Sequence, residues 1–129
     1  MGVASPSQIT AAFETAYNGR DKAALMQLYA HDAVHTFDGI AMSTGLTAIG
    51  AAFDRGFAGP NTLSGQTLSC LVSGQTALLR VLWRSVGPDG AARGQNVSCE
   101  VAAKGADGLW RYIIDDATGG SRPSKPTDK

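Results

Sequence analysis

Histidine is the side chain that moves protons near neutral pH, and this chain carries two, His31 and His35. His35 lies in Val34-His35-Thr36-Phe37, a short β-branched and aromatic run that suits a strand. If Phe37 packs in the core, alternation turns residue 35 the same way, toward apolar company. An imidazole there, with an unperturbed pKa of ~6.5, can act as a general base. The plainer alternative is a hydrogen-bonded core histidine. Tyr17, Tyr29 and Tyr112 could offer hydroxyls to a carbonyl or enolate oxygen, although a tyrosine with one wet end is also an ordinary wall residue. His31 and His35 have the spacing of two metal ligands on a helix. Asp32-Ala33-Val34 leads instead into a strand, where four residues span about 13 Å, and no further Cys/His cluster joins them. No metal is expected. Cys70 and Cys99 read as small buried hydrophobes, Cys99 having no activating base beside it.

These side chains need elements to hold them. Ser5-Pro6-Ser7-Gln8 has the capping-box pattern, and Ile9, Phe13, Ala16 and Tyr17 follow at helical spacing until Asn18-Gly19 ends the run. Asp21 caps a second helix in which Leu25, Leu28 and Tyr29 share a face. Leu46, Ile49, Phe53 and Phe57 mark a third, entered through Thr44-Gly45 and stopped by Gly59-Pro60. After residue 60 the pattern turns to strands over Thr62–Val72, Thr76–Val86, Ala92–Ala103 and Leu109–Asp116, separated by turn compositions such as Gly87-Pro88-Asp89-Gly90. Helices first and strands afterwards predict an α+β fold, a curved antiparallel sheet with helices on one face. Residues 1–118 form the expected single domain. Residues 119–129 have nothing apolar to bury and are expected as a disordered tail.

Composition excludes several classes of function. Eleven basic residues balance eleven acidic ones in 129, so no general attraction to nucleic acid or an anionic membrane is expected. No apolar run approaches the ~20 residues of a membrane helix. The start, Met1 to Pro6, lacks the basic stretch and apolar core of a signal peptide, and two cysteines are too few for a disulfide scaffold. The expected location is the cytoplasm.

Tyr17-Asn18-Gly19-Arg20-Asp21, the run from Leu28 through His31, His35 and Phe37 to Gly39, the Thr44–Ile49 helix entry and the strand Gly108–Asp116 carry a resemblance. Together these pieces resemble the nuclear transport factor 2-like superfamily, in its SnoaL-like and ketosteroid-isomerase-like branch, over about residues 6 to 118. The resemblance implies a cone: a strongly bent sheet wraps the first helix and leaves an apolar pocket. Laying the isomerase pattern on this chain turns His35, Phe37, Cys99, Trp110, Tyr112, Ile114 and Asp116 inward. Phe13, Tyr17 and Tyr29 then approach from the helices, with Phe53 and Phe57 as a lid. The other face shows Arg80, Arg84, Asn96, Ser98, Glu100, Arg111 and Asp115, a face of the kind this superfamily uses to pair sheets as homodimers. The isomerase triad does not carry over: its base falls on Phe37, its tyrosine on Phe13 and its acid on Cys99. Asp38, one step from the base position, points to the opposite face unless a bulge restores it.

The expected function is a pocket for a small apolar organic ligand. In the enzymatic form, an isomerase, cyclase or hydrolase needing no cofactor, His35 moves a proton. Asp116 orients it, and Tyr29, Tyr17 or Tyr112 holds the developing oxyanion. The alternatives are a non-catalytic binding module and a dimerisation module with a filled pocket.

Overall fold

The computed structural model describes residues 1–121. A 3-10 turn (Pro6–Gln8) leads into α1 (Ile9–Asn18), followed by α2 (Lys22–Met26), β1 (Tyr29–Thr36), β2 (Met42–Thr44), α3 (Leu46–Ala58), β3 (Thr62–Ser73), β4 (Thr76–Val86), β5 (Ala92–Lys104) and β6 (Trp110–Asp116). Local chemistry explains the boundaries. Gln8 Oε1 accepts from the Ser5 amide at 3.1 Å, and Asp21 Oδ1 accepts from the Ala24 amide at 3.0 Å. The second helix is a single short piece, so Tyr29 opens a strand instead of extending the helix face. The strand expected at Val34–Phe37 starts earlier, at Tyr29, and stops at Thr36. The short edge strand β2 has no counterpart in the sequence reading.

The six strands form one sheet in the order β2-β1-β6-β5-β4-β3. Neighbours are antiparallel except β1 and β6, which run parallel. β2 and β3 are therefore opposite edges, and α3 is the connection that crosses from one to the other. α1 also lies over the inner face: Phe13 meets Trp83 of β4 at 5.0 Å and Tyr112 of β6 at 6.3 Å between ring centroids. Ile9, Phe13, Leu25, Ile49, Phe53, Leu79, Val81 and Tyr112 build the core between helices and sheet. Asn18 anchors α1 to the β3 edge, giving Nδ2–H to the Leu63 carbonyl and accepting its amide.

Two irregularities decide which residues face inward. On β6, Tyr112 opposes Ala102 and Ile114 opposes Val101, leaving Ile113 without a partner on β5. One extra residue reverses the parity of everything after it. Trp110 and Tyr112 are buried as expected, but Ile114 is 47% exposed, Asp115 is buried, and Asp116 sits opposite Cys99 and Thr36. The second departure is on β5. There Ser98, Glu100 and Ala102 point inward, and Cys99 with Val97 and Val101 takes the outer face. The inward placement of Cys99, Ile114 and Asp116, and the outward placement of Ser98, Glu100 and Asp115, are thus corrected.

The outer face carries a cross-strand apolar row in which Leu71, Leu78, Val101, Ile114 and Val34 are successive register partners from β3 to β1. Beyond β6, the Gly120 amide donates to the Val97 carbonyl at 2.8 Å, so Gly119–Ser121 runs back against β5. The rest of the expected tail, 122–129, lies outside the described residues. No helix among the described residues is long and apolar enough to cross a membrane.

Candidate functional site

One rung of the sheet gathers the chemistry. Glu100 on β5 pairs in register with Asp115 on β6, and Asp115 pairs with His35 on β1. Directly opposed residues on one face bring their side chains together. His35, Glu100 and Asp115 are 1%, 2% and 5% exposed, so water screens none of them.

Each group of the rung has a distinct environment. Glu100 Oε2 accepts from Ser98 Oγ at 2.7 Å and from the Trp83 indole at 3.3 Å. Its Oε1 has no partner. Burial and the adjacent Asp115 carboxyl push the Glu100 pKa up to about 8, so it holds its proton at neutral pH. Asp115 Oδ2 accepts from the Tyr29 hydroxyl at 2.5 Å and stands 3.8 Å from His35 Nε2. Burial raises the Asp115 pKa, while His35 and the Tyr29 hydrogen bond pull it back down. Burial likewise lowers the His35 pKa against the pull of Asp115 and Asp116, which leaves the imidazole neutral. His35 Nδ1 and the Tyr112 hydroxyl are buried without hydrogen-bond partners. A proton on Nε2, facing Asp115, leaves Nδ1 as a free acceptor.

Above the rung lies a cavity of about 190 Å³. Phe13, Tyr17, Phe53, Leu63 and Trp83 form its apolar wall, and His35, Glu100 and Asp115 give it a polar floor. Phe37 is 47% exposed and belongs to the mouth, not the core, with its ring 4.4 Å from that of His35 and 5.5 Å from that of Phe53. Gly56 makes room for the Tyr17 hydroxyl, which would lie 2.5 Å from any Cβ placed there.

Of the residues expected at the site, His35, Phe13, Tyr17, Phe37 and Phe53 line this cavity. Phe53 is a buried wall residue rather than a lid, and half-buried Phe57 packs behind it and Tyr17, at 6.3 and 5.4 Å. Tyr29 is on a strand and behind the floor, its hydroxyl spent on Asp115. Tyr112 sits beside Glu100, close enough to influence its proton. Trp110 is buried at the other end of β6, paired with Val3, and does not line the cavity. Asp116 is not on the floor. Through the β6 bulge Asp115 stands beside His35 in its place. Asp38, in the turn after β1, spends Oδ1 on the amides of Ile40 and Ala41. His31 is exposed and His35 buried, and among the described residues no group of three His, Cys, Asp or Glu side chains could hold a metal ion. Sequence reasoning missed Glu100, Asp115, Trp83, Leu63 and Asn96. For Glu100 the available signal was a lone acid within the small, otherwise uncharged stretch Val97–Ala103 of β5.

Solved structures with this fold are numerous. An NTF2-like protein with a cystatin-like fold from Novosphingobium aromaticivorans superposes with a TM-score of 0.74 at 20% identity, over 84% of this chain and 75% of that one. A ketosteroid isomerase-like protein from Erwinia carotovora gives 0.67 at 18% identity, over 85% and 89%. A cystatin-like protein of unknown function from Nostoc punctiforme gives 0.74 at 15%, over 94% and 91%. At these identities the likeness is one of fold. Among curated proteins none matches the sequence. The family profile of the SnoaL-like domain matches residues 9–113, from the start of α1 into β6, and the chain belongs to that family.

Proposed function

We propose that this protein is an acid/base catalyst for a small organic carbonyl compound. The observation that carries the reading is the rung Glu100–Asp115–His35 at the floor of an aromatic-walled cavity. Two carboxyls and an imidazole out of water divide the work. Neutral Glu100 turns an unpartnered Oε1 toward a carbonyl oxygen. Neutral His35 takes a proton from the carbon next to that carbonyl at Nδ1, and Asp115, held by Tyr29, steadies the imidazolium that forms. The C–H electron pair becomes the C=C bond of the enol, while the carbonyl π pair moves to oxygen and takes the Glu100 proton. Return of a proton to a different carbon of the conjugated enol, with the O–H proton going back to Glu100, completes an isomerisation.

The test is exchange of the acetyl methyl protons of acetophenone in D2O, followed by NMR. Wild type is expected to accelerate exchange, and His35→Gln and Glu100→Gln are each expected to reduce the acceleration by about 100-fold or more, as loss of a general base or an oxyanion donor does. Binding of acetophenone with no exchange above buffer would make the pocket a non-catalytic binding site instead.

A further inference from the structure

A second depression, of about 560 Å³, adjoins the cavity and shares three of its walls, His35, Phe37 and Gly56. Unlike the inner cavity, the outer groove is lined by an arginine. Arg55, exposed on α3, lines it beside Ala52 and Gly56. Among the described residues Arg55 makes no ion pair. Its helical neighbours at three and four positions are Ala51, Ala52, Ala58 and Gly59, which offer no counter-charge. Asp54, next in sequence, is taken by Lys22 at 3.0 Å.

Arg55 also lies in the last turn of α3, where a cation complements the helix dipole. Among the described residues its guanidinium makes no hydrogen bond to a helix-end carbonyl, and the carbonyl of Gly59 just past the helix end is held by Arg20 at 2.7 Å, together with that of Asn61 at 2.9 Å. The one acid lining the groove, Asp38, is turned into its own loop by the Ile40 and Ala41 amides at 2.8 and 3.0 Å. A guanidinium left with its donors open, next to the mouth of an apolar cavity, is the partner a carboxylate binds best, through paired N–H···O bonds.

We propose that Arg55 is an anion-recognition residue and that the ligand is a keto acid, its carbonyl on the Glu100–His35 floor and its carboxylate outside, separated by a ring or short apolar chain. A cavity of about 150 Å³ holds a benzene ring, so the inner space of about 190 Å³ suits one ring with its acyl group and leaves the acid to the groove. This rests on the pocket reading above and adds the charge of the substrate.

The experiment compares 4-acetylbenzoate with its neutral twin 4-acetylbenzamide by calorimetric titration, on wild type, Arg55→Gln and Glu100→Gln. Wild type is expected to bind the acid about fivefold or more tightly than the amide, with the preference shrinking as NaCl is raised to 0.5 M. Arg55→Gln should abolish the preference and leave the amide unchanged, whereas Glu100→Gln should weaken both compounds alike. Equal binding of the two by wild type, or a preference that survives in Arg55→Gln, overturns the role of Arg55 while the pocket reading stands. Binding of neither compound overturns both. A preference intact and Arg55-dependent, but indifferent to Glu100→Gln, keeps the anion site and removes the carbonyl floor.

Discussion

At neutral pH Glu100 keeps a proton that an exposed glutamate would have lost, because burial and Asp115 raise its pKa to about 8. Folding therefore binds a proton, and the sign follows. A carboxyl whose folded pKa exceeds its unfolded one destabilises the fold as pH rises between the two values. Below about pH 6.5 the buried neutral His35 acts the other way, since the unfolded chain protonates it first. Between about pH 6.5 and 8 the Glu100 contribution stands out, at roughly 1 kcal/mol lost per pH unit, tapering as the pH approaches 8. Thermal melts of wild type are expected to fall across that window and level off above it. Glu100→Gln, neutral throughout, should flatten this segment. Parallel curves for the two proteins would place the proton elsewhere.

Among the elements, α3 carries the contact that sets the cavity wall. Its Gly56 faces Tyr17 of α1, whose hydroxyl would lie 2.5 Å from an added Cβ, with the ring carbon behind it at 3.4 Å. Gly56→Ala brings helix propensity, worth about 1 kcal/mol, against a clash of about 1–3 kcal/mol. The single variant should be destabilised. In a Tyr17→Phe background the oxygen is gone and the same substitution should become neutral or stabilising. Denaturant melts of the four proteins test this as a double-mutant cycle.

For the whole molecule, the outer apolar row is the feature left unaccounted for by a single chain. Leu71 is 64% exposed, Leu78 44% and Ile114 47%, and register makes them one row with Val101 and Val34. A second copy of this face is its expected cover. Light scattering at micromolar concentration should give twice the chain mass of 13.3 kDa. Leu78→Arg should shift it to one chain mass without disturbing the inner cavity. A monomer mass for wild type would count against pairing.

Helix and strand identities were legible in the sequence because they depend on periodicity and local punctuation. Leu46–Phe57 reads as a helix, and the four long strands fall within one or two residues of their observed ends. His35 was expected inward on the strength of Phe37 packing in the core; Phe37 instead stands 47% exposed at the mouth, and the buried residue that shares the face of His35 is Ala33. The faces of β5 and β6 were not legible. On β5 the apolar alternates Val97, Cys99 and Val101 go outward, and the polar Ser98 and Glu100 go inward to a floor that other strands complete. Burial of a carboxylic acid is tolerable only beside the Ser98 and Trp83 donors, and these converge only once the strands are paired. On β6 the unpaired Ile113 exchanges Asp116 for Asp115, and a bulge is a property of the ladder between two strands. Local sequence determined which residues form α1, α3 and the strands β3 to β6; pairing across the sheet extended β1 back to Tyr29, added β2 and decided which carboxyls meet His35.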